Sequence, residues 1–171
     1  MIHLLEHAFD CVPHYKKFMD YSFVKKMQSV DSDENEKQTW GKPLLFPNEG
    51  IDVLDSWQPI WNIIKPKIED RLATKINDPE IAYINLFDHG DNSCIHTDRE
   101  GYTAICYMNP YWNWNWGGET MFYEGDEVMH CQLPKGGDVI FFNGHHPHRA
   151  GLVSSNAQFP RMGLTYMFNE L

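Results

Sequence analysis

Residues 119–142 read ETMFYEGDEVMHCQLPKGGDVIFF. Three short apolar or alternating runs stand here between two clusters of turn residues, Glu124-Gly125-Asp126 and Pro134-Lys135-Gly136-Gly137. Alternation with a period of two marks a strand with one buried face, and Gly, Pro and Asp between runs mark tight connections. The same texture extends in both directions. It predicts eight strands, at 82–87, 94–97, 102–108, 119–123, 127–133, 137–142, 148–153 and 162–168. Asp88-His89-Gly90 and Asn143-Gly144 supply further turns. Eight short strands in a compact stretch predict a jelly roll of two antiparallel sheets.

Upstream the texture is different. Phe9, Val12, Tyr15, Phe18 and Met19 recur at helical spacing, with Pro13 as an interruption. Leu54, Trp57, Ile60, Trp61, Ile64, Ile68 and Leu72 do the same, with Pro59 and Pro66 expected to break or kink the helix. The polar stretch 31–38 reads as a surface loop. The expectation is an α+β, mostly β chain: one domain over 1–171, with 1–78 as helical support and 79–171 as the β core.

Composition narrows the function classes. With 171 residues, 42% hydrophobic and 22% charged, the chain is long enough and apolar enough to fold without metal or disulfide staples. A metal site would therefore serve function. The 14 Lys and Arg against 24 Asp and Glu give a net charge of −10, which argues against nucleic-acid binding. No apolar run approaches the roughly 18 residues of a membrane span. Glu6 and Asp10 interrupt any signal-peptide core. The chain reads as soluble and cytoplasmic, with no membrane partner. Cys11, Cys94, Cys106 and Cys131 form no CxxC pair and indicate no disulfide framework.

The chemistry is concentrated in His96-Thr97-Asp98. Residues i and i+2 of an extended segment face one way, so an imidazole and a carboxylate aim at one point. A second histidine would complete the two-histidine, one-carboxylate triad that suits non-haem Fe(II) and leaves three adjacent positions open. His145, His146 and His148, clustered at the entrance to a later strand, are the candidates. Arg161 opens the last expected strand, where a guanidinium can clamp a carboxylate in bidentate fashion, and Thr165 shares its face. Trp112, Trp114 and Trp116 alternate in such a way that an extended segment would set three indoles on one side. They form either a substrate wall or, as Trp usually does, structural packing.

These residues, together with Tyr107-Met108-Asn109, Trp116-Gly117-Gly118-Glu119-Thr120, the 134–142 stretch and His148-Arg149-Ala150, resemble the Fe(II)- and 2-oxoglutarate-dependent dioxygenases, in particular their prolyl 4-hydroxylase-like branch. The resemblance covers about half the chain. It implies a double-stranded β-helix of the cupin-like kind. It implies His96, Asp98 and His148 as Fe(II) ligands, His148 being preferred to His145 and His146. It implies Arg161 as the clamp on the distal carboxylate of 2-oxoglutarate, with Tyr107, Thr165 and Asn85 assisting. The tyrosine that this branch often has just before the HxD is missing, since the stretch reads Asn85-Leu86-Phe87. The implied reaction consumes 2-oxoglutarate and O₂, with ascorbate as an optional reductant, and hydroxylates an unactivated C–H. A prolyl residue of a protein or peptide is the expected substrate. A free amino acid or other small molecule, or a non-catalytic cupin-like metal-binding role, are the alternatives. The sequence does not set the oligomeric state.

Overall fold

A computed structural model describes residues 1–21, 24–28, 37–45, 55–91, 93–99 and 101–171. Twelve regular elements follow in chain order: β1 (Ile2–Leu5), α1 (Val12–Met19), β2 (Val24–Gln28), β3 (Lys37–Leu45), α2 (Gln58–Leu72), β4 (Ile81–Phe87), β5 (Tyr102–Tyr107), β6 (Thr120–Glu124), β7 (Glu127–Gln132), β8 (Val139–Asn143), β9 (His148–Ala150) and β10 (Arg161–Phe168). They form an antiparallel sheet of order β1-β8-β5-β10-β4-β3-β2, faced by a three-stranded sheet of order β7-β6-β9. This is the jelly-roll architecture that the turn pattern predicts.

The larger sheet has two chemically distinct faces, and strand alternation creates them. Ala82, Ile84, Ala104, Cys106, Val139, Phe141, Met162, Leu164, Tyr166 and Phe168 face outward into the main core. Ile60, Trp61, Ile64 and Ile68 of α2 and Phe18 of α1 cover them. Full burial of each such side chain contributes about 1.5–3 kcal/mol, so this face anchors the sheet. Two buried polar tips find partners here: Tyr166 Oη donates to the Trp57 carbonyl (2.7 Å), and Trp61 Nε1 donates to Asp78 (3.0 Å). The alternate residues, among them Tyr83, Asn85, Phe87, Thr103, Ile105, Arg161, Gly163 and Thr165, face the smaller sheet and line the cavity between them.

Some expectations need correction. The 1–78 segment is not purely helical, since β1, β2 and β3 lie in it. Ile2-His3-Leu4-Leu5 is a run too short to carry a helical period, and it adds to the free edge of β8. β2 pairs antiparallel with β3, and together they extend the sheet beyond β4, the β3–β4 register shifting between Pro43 and Leu45. Pro13 and Pro59 initiate their helices instead of breaking them, because a first-turn N–H has no partner within the helix anyway. α2 also runs through Pro66; its apolar face is buried on the sheet, which offsets the lost hydrogen bond. The expected strand at 94–97 is only an isolated bridge between His96 and His148. Residues 31–36 of the expected surface loop, and the 51–54 start of the expected second helix, lie outside the described residues.

Candidate metal and carboxylate site

The HxD segment meets β9 through one reciprocal pair of backbone hydrogen bonds. His96 N–H donates to the His148 carbonyl (3.0 Å), and His148 N–H donates to the His96 carbonyl (2.9 Å). Asp98 N–H then donates to the Gly144 carbonyl (2.8 Å). Gly144 is required here, because a Cβ would collide with the Arg99 carbonyl oxygen. Two stretches distant in sequence are thereby fixed against each other at three successive backbone contacts.

Their side chains converge. The ligand atoms of His96, Asp98 and His148 all lie within 4.8 Å of one another. Nε2 of His96 is 3.8 Å from Asp98 Oδ1, and Nε2 of His148 is 3.5 Å from Asp98 Oδ2. Each ring is oriented from behind: Nδ1 of His96 sits 2.9 Å from the Cys94 carbonyl, and Nδ1 of His148 sits 2.9 Å from the His146 carbonyl. A carbonyl only accepts, so both Nδ1 atoms carry a proton and both Nε2 atoms are left facing the Asp98 carboxylate. Phe142 meets the His148 ring edge-on at 4.7 Å and Phe122 lies 5.9 Å away. Burial pulls the His148 imidazole below its ordinary pKa, against the opposing pull of the Asp98 carboxylate. Two inward-facing imidazoles beside a carboxylate are the donor set that fits Fe(II).

His145 and His146 do not join them. His145 is exposed, with its backbone N–H donating to Asn143 Oδ1 (3.0 Å), and His146 Nε2 lies 2.9 Å from the N-terminal ammonium.

Arg161 lies on the same cavity. It is only 3% exposed, yet among the described residues no carboxylate pairs with it. One Nη donates to Thr120 Oγ1 (3.0 Å), the Nε has no hydrogen-bond partner, and the guanidinium is sandwiched over Phe87 (5.2 Å) and Tyr107 (5.5 Å). Burial lowers its pKa, while Tyr107 and Glu119 raise it. A buried cation without an anion is costly unless an anionic ligand completes it. Gly163 lies between Arg161 and Thr165 on the cavity face of β10, and its missing side chain keeps the channel open.

The remaining expected residues fall in different places. Thr165 and Asn85 line the cavity. Tyr107 is fully buried behind it, its hydroxyl donating to Thr120 Oγ1 (2.8 Å), and burial pushes its phenol up to about 12. The three tryptophans do not form one wall. Trp114–Trp116 is a 3-10 turn capped by Asn113. Trp116 is buried with Phe87, Ala150, Val153 and Ala157, and Trp112 packs edge-on against it at 5.3 Å, its Nε1 donating to the Gly117 carbonyl (2.9 Å). Trp114 is 74% exposed. The coil breaks the alternation that an extended segment would have had.

Several cavity residues escape the sequence reading, Tyr83 foremost. Tyr83, two residues before Asn85 and so on the same face of β4, lines the cavity and bonds to Thr165 and Asn85. Burial, and next the nearby Asp98 charge, raise its phenol pKa far above the ordinary value. Its period-two relation to Asn85 was the available signal. Thr103, Thr120 and Ser93 also line the cavity.

Comparison with known proteins defines the class. The family model of the 2OG-Fe(II) oxygenase superfamily matches residues 83–169, just over half the chain, and the protein belongs to that superfamily. Its members work with Fe(II), 2-oxoglutarate and O₂. An oxidoreductase of the 2OG-Fe(II) oxygenase family from Burkholderia pseudomallei is similar in structure, with TM-score 0.76 at 15% identity over 98% of this chain and 84% of its own. A prolyl-4-hydroxylase from Pseudomonas putida gives TM-score 0.70 at 16% identity, over 99% and 92% respectively. The non-haem α-ketoglutarate-dependent epimerase SnoN of nogalamycin biosynthesis gives 0.69 at 11%, over 98% and 78%. None of the curated proteins matches the chain significantly.

Proposed function

We propose that this protein is a dioxygenase that hydroxylates a prolyl residue in a protein or peptide, with Fe(II) held by His96, Asp98 and His148. The observation that carries the oxygenase reading is the pairing, on one cavity, of the inward-facing triad with the buried Arg161, with which no carboxylate forms an ion pair among the described residues. Bound Fe(II), with 2-oxoglutarate and O₂, supplies the oxidising equivalents that insert one oxygen atom into a C–H bond and leave succinate and CO₂.

The chain's own part is positional. The Cys94 and His146 carbonyls hold the two imidazoles in the tautomer that presents Nε2 to the metal. Arg161 takes the far carboxylate of the cosubstrate, its free Nε and its Nη atoms offering the planar fork that matches a carboxylate. Thr120 stays in that clamp as a hydroxyl shared by Arg161 and Tyr107. Tyr83, Asn85 and Thr165 form a polar floor beneath the cosubstrate chain. Phe87 and Ile105 give the cavity apolar walls, and Phe122 and Phe142 pack against the His148 ring.

The prolyl reading is supported by the sequence motifs of that branch and by the fold likeness to a prolyl-4-hydroxylase. The fold likeness to an epimerase favours a small-molecule substrate as the second reading. Incubation of the Fe(II)-loaded protein and 2-oxoglutarate with a proline-containing peptide library and, separately, with a metabolite extract tests both. A gain of one oxygen on peptidyl proline supports the proposal. A gain on small molecules alone replaces it with the second reading. No succinate under any condition removes the oxygenase assignment for this chain.

A further inference from the structure

Asp98 has two oxygens, and they are not equivalent. Oδ2 accepts a short hydrogen bond from Thr103 Oγ1 (2.6 Å), whereas among the described residues no hydrogen bond reaches Oδ1. Thr103 sits on β5, 1% exposed, between Phe142 of β8 and Met167 of β10, so it is held within the sheet. The Asp98 side chain is itself 7% exposed, and the two histidine Nε2 atoms that face it, at 3.8 and 3.5 Å, make no hydrogen bond to it. The Thr103 hydroxyl is therefore the group that orients this carboxylate before any metal arrives.

We propose that Thr103 is a positioning residue that keeps Asp98 a one-armed ligand. With Oδ2 engaged by the hydroxyl, Oδ1 is the oxygen with its lone pairs uncommitted, and it faces His96 at 3.8 Å. A carboxylate that binds through one oxygen leaves three of six positions on the metal for other ligands; one that closes both oxygens onto the metal leaves two. A cosubstrate that chelates through a keto acid, with O₂ beside it, needs all three. Thr103 thus protects the open face without touching it. The inference rests on the metal-site reading above.

The test uses Mn(II), whose bound water accelerates the relaxation of bulk water protons. Wild-type protein, Thr103→Val, Thr103→Ser and Asp98→Ala are loaded with Mn(II), and relaxation enhancement is measured per bound ion, with the melting transition recorded for each. Thr103→Val is expected to lose about a third of the enhancement, the share of one of three open positions, and Thr103→Ser to keep the wild-type value. Loss of Mn(II) binding in Thr103→Val alone, with Thr103→Ser unaffected, also supports a positioning hydroxyl. An unchanged enhancement in Thr103→Val, or an equal loss in Thr103→Ser, overturns the inference. Should Thr103→Val not fold, Thr103→Ala is judged by the same two criteria. If Asp98→Ala binds Mn(II) as well as wild type does, the metal-site reading itself has failed, which is a separate result.

Discussion

Replacing Arg161 by methionine should separate ligand binding from folding. The side chain is 3% exposed, its Nε has no partner, and among the described residues no carboxylate forms an ion pair with it. Its protein contacts include a hydrogen bond to Thr120, the Phe87 and Tyr107 ring faces, and a side-chain interaction with the Tyr107 hydroxyl. Methionine has a similar length and an apolar stem, so it can occupy the space over Phe87 and Tyr107. Removing an unpaired buried charge costs the free protein little and can stabilise it. Removing it from a buried pair with a bound carboxylate costs about 2–5 kcal/mol, or roughly thirtyfold to several thousandfold in affinity. The assay is thermal unfolding of the Mn(II)-loaded protein against 2-oxoglutarate concentration, where stabilisation grows as the logarithm of ligand over its dissociation constant. Arg161→Met should melt within a few degrees of the parent without 2-oxoglutarate. It should then require at least thirtyfold more 2-oxoglutarate for the same shift. An unchanged 2-oxoglutarate dependence would refute the clamp, and collapse of the free protein would show that Arg161 is structural.

Three other perturbations probe the surroundings. Gly144→Ala places a Cβ against the Arg99 carbonyl; it should shift the Asp98 segment and weaken Mn(II) binding severalfold by calorimetry while circular dichroism stays native. Tyr83→Phe removes a hydroxyl bonded to Thr165 and Asn85; denaturant titration should show a loss of about 0.5–1.5 kcal/mol, and no loss would mean the phenol is not held there. The Asp78 carboxyl is held below the usual carboxylate range by its hydrogen bonds from Lys65 and Trp61. Its folded pKa lies below the unfolded one, so its contribution is complete above the ordinary aspartate range and disappears as pH falls through the folded value. Asp78→Asn should therefore be less stable than the parent at neutral pH and converge with it in acid; parallel pH curves would contradict this.

Much of the β core was legible because its two signals are local. Seven of the eight expected strands form, and their inner and outer residues separate as period two requires. The 94–97 strand was not legible as what it is, because Cys94-Ile95-His96-Thr97 alternates like a strand but finds only one partner residue, His148. The N-terminal strands were missed for a related reason. Ile2–Leu5 is too short to show any period, and its strand state comes from the open edge of β8, which no local window contains. Pro66 misled because proline costs are counted locally, while the burial of Ile60, Trp61, Ile64 and Ile68 that outweighs them is tertiary. In the site, His96, Asp98, His148, Arg161, Thr165 and Asn85 all fall on one cavity, and motif order made them visible. Tyr83 lies thirteen residues before His96, and only the period of two on β4 ties it to the site through Asn85. The tryptophans show the opposite failure: alternation in sequence was real, but the Trp114–Trp116 turn cancels it.

The central claim is that His96, Asp98 and His148 jointly hold one metal ion facing Arg161. Anomalous diffraction from anaerobic crystals soaked with Fe(II) and 2-oxoglutarate tests it directly. The account predicts a single strong peak within bonding distance of Nε2 of His96, Nε2 of His148 and one oxygen of Asp98, with the cosubstrate's far carboxylate against Arg161. A peak coordinated by His145 or His146, or the absence of any peak among the triad at full Fe(II) concentration, would contradict it.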